Sequence, residues 1–194
     1  MKKHAIALAL IATFAAGAAV AQDGPWMVRA RAVHLNSANG DSTGLGLSVN
    51  DKTIPEVDVT YFVDKNVALE LILTVPQKHT VYSNGAVLGS LKHLPPTLTV
   101  QYHFDGGSAK PYVGAGVNYT RFSSVNLPAG VTIDRNSFGL ALQAGVDFPI
   151  AKGTYLNLDV KKVFIRTDVA AGGAKIGTFK VDPVLFGVGL GWRF

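Results

Sequence analysis

Hydrophobic and polar side chains alternate one for one along residues 94–122, apart from a short Asp- and Gly-rich link, DGGSAK, in the middle. Strict alternation predicts β-strands, and the short link predicts that the two strands form a hairpin. Each arm is roughly ten residues long, the length that a tilted strand needs to cross a bilayer. The polar face is small and almost uncharged, which is typical of a barrel interior and not of a soluble surface. The hydrophobic face is therefore predicted to meet lipid.

The same alternation recurs along the chain and predicts eight strands, at about 26–35, 54–62, 67–75, 97–104, 111–122, 136–148, 155–165 and 184–194. Short turns alternate with long loops, and the long loops are 36–53, 77–93, 123–135 and 166–177. This predicts an all-β fold: an eight-stranded antiparallel transmembrane β-barrel with short periplasmic turns and four longer extracellular loops. The alternative is a soluble eight-stranded barrel with its hydrophobic face inward, which would leave many glycines on the outer surface.

Aromatic residues lie near the short-turn ends of the predicted strands, where a girdle at the periplasmic membrane interface belongs. They are Tyr61, Tyr102, Phe104, Phe148, Tyr155, Trp192 and Phe194. Lys162 falls on the lipid-facing side of the seventh strand. We expect it either near the outer interface or displaced by a β-bulge.

The first 21 residues have the layout of a secretory signal peptide, which is removed from the mature protein. A positively charged start (Lys2, Lys3) is followed by an apolar core and by the sequence AVA at 19–21, which fits the small-x-small cleavage pattern. A buried N-terminal helix is the alternative. We expect the mature outer-membrane barrel to be residues 22–194, and loss of the two lysines lowers its net charge from +5 to +3.

Composition excludes several classes of function. The chain has no cysteine, so thiol catalysis, disulfide bonds and thiolate metal sites are excluded. The low net charge of the mature chain, without a basic patch that carries interleaved aromatic residues, argues against nucleic acid as a partner. Hydrophobic residues make up 48% of the chain, yet no apolar run after residue 21 approaches the ~20 residues of a spanning helix.

The inward-facing side chains predict a barrel that is polar below and apolar above. Buried charges of both signs must pair, so we expect a polar plug of three basic and three acidic residues: Arg29, Arg31, Lys161, Asp58, Glu70 and Asp159. Towards the outside we expect an apolar funnel lined by Val33, Leu35, Ile54, Ile72, Phe122, Val163, Ile165, Phe179 and Val181. Glu56 is an exception to this apolar pattern. Such a barrel would admit a small hydrophobic molecule without passing it straight through; the alternative is that these residues only pack the upper barrel.

Three prolines stand at the outer ends of neighbouring strands. Pro76 ends the third predicted strand, and Pro95 and Pro96 begin the fourth. Proline cannot donate to a β-ladder, and a closed barrel has no edge strand on which to place it. The wall between these strands is therefore predicted to open sideways into lipid. The alternative is that the prolines only end strands at loop boundaries.

The histidines do not form a catalytic arrangement. None of His34, His79, His93 and His103 has a serine two residues away on the same strand face, and His103 near Asp105 lacks a nucleophile. His79 and His93 flank one loop, but two ligands without a carboxylate are weak grounds for a metal site. We therefore predict no enzyme, no metal and no cofactor. A structural, adhesive or stress-response barrel that works through its loops is the alternative function.

Four segments resemble the OmpW family of outer-membrane proteins: VPQKHTV (75–81), KHLPPTLTVQYHF (92–104), PYVGAGVNYTRF (111–122) and DPVLFGVGLGWRF (182–194). The resemblance covers the mature chain from end to end. It implies a monomeric eight-stranded barrel in the outer membrane of a Gram-negative bacterium. The family's hydrophobic channel ends against a polar barrier, and a lateral opening releases small apolar molecules into the membrane. The loops differ, so the family's gate residues are not placed one by one.

The expected partners follow from this interpretation. They are small hydrophobic solutes, outer-membrane lipid and lipopolysaccharide, and the barrel-insertion machinery that recognises a C-terminal strand ending in Phe194. The function expected from the sequence is passive, porin-like uptake of small hydrophobic molecules.

Overall fold

The computed structural model describes residues 24–194, so the predicted signal peptide lies outside the described residues. Within them, no helix is long and apolar enough to span a membrane. The described strands are β1 (Trp26–Asn36), β2 (Gly40–Asp41), β3 (Leu47–Val49), β4 (Lys52–Phe62), β5 (Val67–Thr74), β6 (Gln77–Ser83), β7 (Ala86–Leu94), β8 (Thr97–His103), β9 (Lys110–Asn126), β10 (Val131–Ile133), β11 (Asn136–Ala151), β12 (Thr154–Val163), β13 (Arg166–Ala171), β14 (Ala174–Lys180) and β15 (Val184–Arg193).

Eight of these strands close into an antiparallel barrel in the order β1-β4-β5-β8-β9-β11-β12-β15, and β15 pairs back onto β1. The predicted fold class is confirmed. Closure removes the free edges that an open sheet would present. The strand alternation places hydrophobic side chains such as Leu140, Val117 and Phe186 on the exposed outer face, where each is more than half exposed. That face is the surface a bilayer would cover.

Glycines on the inner face allow neighbouring strands to approach closely. A Cβ atom on Gly116 would lie 1.9 Å from the carbonyl oxygen of Leu98, and one on Gly189 would lie 2.0 Å from that of Ala30. Both distances are far inside van der Waals contact, so only glycine fits. These glycines, on β9 and β15, therefore allow the barrel wall to pack tightly.

The four predicted long loops contain further β-strands. β6 and β7 form a hairpin that continues β5 and β8 outward, and β3 pairs with β6. A second sheet runs in the order β10-β13-β14-β2. We call these seven strands the extracellular cap. The fifth predicted strand extends beyond residue 122 because β7 pairs with that extension, and the seventh ends at Val163 instead of 165.

Aromatic side chains mark both membrane interfaces. At the periplasmic end, Trp26 packs on Tyr61 with ring centroids 4.7 Å apart. At the outer end, Tyr119 packs on Phe138 at 4.8 Å, and its hydroxyl donates to Asn136 Oδ1 at 2.8 Å. Phe138 is 81% exposed, so the ring faces lipid while the Tyr119 hydroxyl points to polar partners. We take this pair as the outer interface.

One expectation about outward residues is wrong, and one of the two alternatives for Lys162 is excluded. Tyr155 does not belong to the periplasmic girdle: it is buried inside the barrel with Met27, Phe62 and Ala68, because its strand parity points it inward. Lys162 is not displaced by a bulge, since it keeps regular register opposite Leu142; the irregularity in that strand pair lies at the periplasmic end. Its amine bonds the carbonyl oxygen of Asp182 at the outer end of β12.

Candidate functional site

The lower half of the barrel interior is filled by an ion network centred on Arg29. Its guanidinium donates to Asp147 through two nitrogens, with Nη2 at 2.7 Å from Oδ2 and Nε at 3.2 Å from Oδ1. The remaining nitrogen, Nη1, lies 3.2 Å from Asp58 Oδ1 and 2.9 Å from Thr60 Oγ1. Arg29 and Asp58 are fully buried. Three strands, β1, β4 and β11, are thus tied together across the lumen.

A second centre lies one layer higher. Arg31 Nη1 is 2.9 Å from both Glu56 Oε1 and Asp58 Oδ2, and its Nη2 is 3.2 Å from Glu70 Oε1. Lys161 Nζ lies 2.7 Å from Glu56 Oε1 and 2.6 Å from Asp159 Oδ1. Glu56 therefore bridges two cations, one from β1 and one from β12. Buried charges with several partners hold the plug rigidly.

Neutral side chains fill the remaining hydrogen-bonding capacity of the carboxylates. Gln101 Nε2 donates to Glu70 Oε2 at 2.7 Å, and Gln143 Nε2 donates to Asp159 Oδ2 at 2.7 Å. The Tyr112 hydroxyl donates to the same oxygen of Asp159 at 2.8 Å. These bonds join neighbouring or nearby strands, whereas the Arg29–Asp147 and Lys161–Glu56 contacts span the lumen between strands that are not neighbours.

Above the plug the interior becomes a hydrophobic cluster, and we keep the name apolar funnel for it. Eight of the nine sequence-predicted lining residues belong to this cluster; the ninth, Ile72, is buried nearby. The extracellular cap adds further buried side chains that the sequence did not suggest: Leu47, Val49, Val81, Leu91 and Val169. The cap side chains therefore cover the outer end of the funnel.

Two small cavities remain inside the apolar region. The lower is about 20 Å³, roughly the room for one water molecule. Its floor is formed by Glu56 and Lys161 of the plug, and Thr74 and Pro95 lie in its side wall. The upper, of about 20 Å³, is lined by cap residues that include Leu45, Leu88 and Leu127. The lower cavity is where funnel, plug and proline segment meet.

The wall beside the lower cavity is interrupted. The β5–β8 ladder ends at the pair Ile72–Thr97, and pairing across this wall resumes only at Gln77–His93 between β6 and β7. We call the intervening residues, 73–76 and 94–96, the seam; they contain Pro76, Pro95 and Pro96. Among the described residues, no β-pairing crosses the seam.

Bonding continues on the outer flank of each seam strand. Leu73 and Thr74 remain paired with β4, and the carbonyl oxygen of Pro96 accepts the Tyr119 N–H at 3.1 Å. Asn118 Nδ2 also lies 3.2 Å from the carbonyl oxygens of both Pro95 and Pro96. The interruption is thus confined to one line between two strands. Val75, on the seam, is 53% exposed on the outer face.

The comparison with known proteins agrees with this architecture. The sequence profile of the OmpW family matches residues 17–194. The chain belongs to the OmpW family. The uncharacterized outer-membrane protein y4mB of Sinorhizobium fredii is 40% identical over 184 residues, covering 88% of this chain and 80% of its own length. Outer membrane protein W of Escherichia coli K12 is 32% identical over 212 residues and is covered completely, as is this chain.

Two further OmpW-like proteins extend the comparison. A protein of Pseudomonas aeruginosa named dibenzothiophene metabolism operon protein PahQ is 25% identical over 193 residues, with 90% of each chain covered. The crystal structure of the outer membrane protein OprG of the same species superposes with a TM-score of 0.78 and 26% identity, covering 90% of this chain and 99% of OprG. The protein is an outer-membrane β-barrel of a Gram-negative bacterium.

The structure brings all six predicted plug residues of this OmpW-family barrel into one network and places all nine predicted funnel residues in the buried interior. Two plug members were missed. Glu56 was set aside as an exception, although it lies directly opposite Arg31 in the β1–β4 register. Asp147 faces inward by strand alternation but is not among the predicted plug residues, because its partner Arg29 reaches it across the lumen.

The histidines take structural positions. His103 stacks on Tyr112 at 5.0 Å between centroids, and its Nε2 lies 3.0 Å from Gln101 Oε1. His79 and His93 are buried in the cap and stack at 4.6 Å. Within residues 24–194, no group of three or more His, Asp or Glu side chains is arranged to hold a metal ion.

The stacked pair lies outside the membrane-spanning region, since the cross-strand partner of His93 is Phe122, beyond the outer interface at Tyr119. His79 Nδ1 lies 2.9 Å from the Asn50 carbonyl oxygen. The other three ring nitrogens of the pair have no hydrogen-bond partner among the described residues. Burial, helped by the neighbouring His79 and Lys52, lowers the pKa of His93 to about 3.

Proposed function

We propose that this barrel is a channel for the passive uptake of small hydrophobic molecules. A solute enters through the extracellular cap, occupies the apolar funnel and leaves sideways through the seam into the membrane. The observation that carries the proposal is the lower cavity, because one void has charged residues as its floor and the proline seam as its side wall. A solute that reaches this point meets charge below and an interrupted wall beside it.

The energetics favour this route. Each buried CH₂ group of a solute gains about 0.8 kcal/mol on leaving water, so an apolar molecule partitions into the funnel and then into lipid. Entry to the plug would require breaking buried ion pairs, which costs about 3–5 kcal/mol for each unpaired charge. No ladder bonds join residues 73–76 to residues 94–96, so the two strands can separate at the seam without breaking any. The sideways exit is therefore the cheaper one.

The names of relatives support the solute class. PahQ is named for a dibenzothiophene metabolism operon, and dibenzothiophene is an apolar aromatic compound. The function that the family resemblance implies is of the same kind. The proposal includes a monomeric barrel surrounded by outer-membrane lipid and lipopolysaccharide, inserted by machinery that recognises the strand ending in Phe194, after removal of a signal peptide at residue 21.

The test is the rate at which intact Gram-negative cells take up dibenzothiophene, since their lipopolysaccharide slows the unaided entry of apolar solutes. Ile165→Arg and Phe122→Asp each place an unpaired charge in the funnel, and we expect uptake to fall at least tenfold towards the level of cells without the protein. Ile165→Met conserves volume and serves as the matched control, with uptake unchanged.

Folding of every variant is checked by the electrophoretic shift between unheated and heated barrel. If the folded Arg and Asp variants support uptake at the normal rate, the funnel is not the path. That result would favour the alternative function, a structural or adhesive barrel.

A further inference from the structure

Three basic side chains form a cluster on the outer surface of adjacent strands. Lys78 of β6 lies directly opposite Lys92 of β7, and Lys92 lies opposite Ser123 of β9, two residues from Arg121. The chain neighbours on both sides of each basic residue are buried, so by strand alternation all three side chains point away from the barrel. We call Lys78, Lys92 and Arg121 the cationic cluster.

The cluster forms no ion pair with any described carboxylate, including the exposed Asp134, which lies two residues from the cross-strand partner of Arg121. Like charges directly opposite each other on neighbouring strands are destabilising, and the Lys78–Lys92 pair has this arrangement. Four carboxylates of the cap are engaged elsewhere, by backbone N–H groups or by other basic residues: Asp41, Asp51, Asp168 and Asp182. An anion from outside the chain would relieve this repulsion.

The height of the cluster indicates which anion that is. Arg121 is the next outward position on β9 beyond Tyr119, and Tyr119 with Phe138 marks the outer interface. Outward residues on the membrane side of Tyr119, such as Val117, are hydrophobic and exposed. The cationic cluster therefore lies at the level of the lipid head groups of the outer leaflet.

We propose that Lys78, Lys92 and Arg121 bind the phosphate groups of the phosphorylated glycolipid that forms the outer leaflet, the lipid A part of lipopolysaccharide. Arginine offers a planar fork that matches phosphate oxygens, and the two lysines add compact positive charges beside it. The site lies directly above the seam, since Lys78 is two residues from Pro76 and Lys92 is three from Pro95. A bound glycolipid would hold the β6–β7 hairpin against β9 next to the lateral exit. This proposal stands whether or not the barrel transports solutes.

The test measures binding of purified lipid A to the full barrel in nanodiscs of zwitterionic phospholipid. The variant Lys78→Gln/Lys92→Gln/Arg121→Gln removes the cluster. Each basic residue near an anionic lipid contributes about fivefold in affinity, so we expect binding roughly 100-fold weaker. The matched control, Lys65→Gln/Lys110→Gln/Lys152→Gln, removes the same charge at the periplasmic end and should bind lipid A like the unmodified protein.

Two further arms identify the ligand chemistry. Lipid A without its phosphates should bind the unmodified barrel as weakly as phosphorylated lipid A binds the cluster variant. Millimolar inorganic phosphate should displace little of the bound lipid A. The proposal is overturned if the cluster variant keeps its affinity, if the periplasmic control loses as much, or if inorganic phosphate competes fully, which would make this a site for free anions.

Discussion

The two halves of the barrel interior are built on the same eight strands but are held by different forces. On β1 the inward residues are Arg29 and Arg31 in the lower half and Val33 and Leu35 in the upper half. The lower pair is fixed by directional ion pairs, each of which requires its partner at one distance and angle. The upper pair makes non-directional apolar contacts that can be exchanged for contacts with a solute. The lower half therefore suits a barrier, and the upper half suits a compartment that changes its contents.

The largest expected difference between the halves concerns stability. Arg29→Met removes the cation that holds Asp147 and Asp58 and leaves two buried carboxylates without it, so we expect a loss of about 3–5 kcal/mol in the free energy of unfolding. In the upper half, Val33→Ala removes only two methyl groups from the hydrophobic cluster and should cost about 1–2 kcal/mol. Urea unfolding of the barrel in lipid vesicles measures both.

Glu56→Gln provides an internal control for the plug. The network has five buried carboxylates, Glu56, Asp58, Glu70, Asp147 and Asp159, but three buried cations. Removing one acidic charge reduces this excess, whereas removing a cation increases it, so Glu56→Gln should cost clearly less than Arg29→Met. Equal costs for the two variants would show that charge balance does not govern the lower half.

The next effect is a pH dependence of the free energy of unfolding that arises from the cap and not from the barrel. Burial lowers the pKa of His93. Burial is also the main cause that lowers the pKa of His79; the hydrogen bond to the Asn50 carbonyl and the charge of Asp51 oppose this shift, and Lys52 adds to it. The unfolded chain therefore binds more protons than the folded one below about pH 6.5, and stability falls as the pH drops from 6.5 towards 3. The loss approaches about 1.4 kcal/mol per pH unit for His93.

The measurement compares urea unfolding at pH 7.5 and pH 5 for the unmodified protein and for His93→Phe. Phenylalanine keeps an aromatic ring against Phe122 and His79 but cannot take up a proton. We expect the unmodified barrel to lose about 2 kcal/mol more than the variant over this range. The same pH dependence in both proteins would place the titrating groups outside the histidine stack.

The sequence alone predicts the barrel strands more completely than the strands of the extracellular cap. Each membrane-crossing strand alternates over seven or more residues, as in Thr97–His103, so its period is clear without a partner. β3 has only three residues, Leu47–Val49, and its strand conformation depends on pairing with β6. A pattern this short cannot be distinguished from a loop in the sequence alone.

The site shows the same limit at the level of single residues. The inward parity of Arg29, Asp58 and Asp147 follows from alternation, but which carboxylate meets which cation depends on the register and on contacts across the lumen. Asp147 lies 118 residues from Arg29 along the chain. The stack of His79 on His93 likewise depends on the register of the β6–β7 hairpin, which is set by its turn and not by the two histidines.

The smallest expected effect concerns the seam, the proposed exit from the upper half of the interior into the membrane. In Pro95→Val/Pro96→Val only the new N–H of residue 95 faces the unpaired edge of β5, because residue 96 faces β9, where its carbonyl oxygen accepts from Tyr119. One added bond is worth about 0.5–1.5 kcal/mol and should slow lateral release by roughly 2- to 10-fold. The measurement is the rate at which a preloaded apolar fluorophore passes from the barrel into nanodisc lipid, while the amount loaded stays the same. Pro128→Val, in an exposed cap turn, is the control with unchanged release. If the seam variant releases at the normal rate, the prolines act only as strand ends, and solute must leave the upper half by another route.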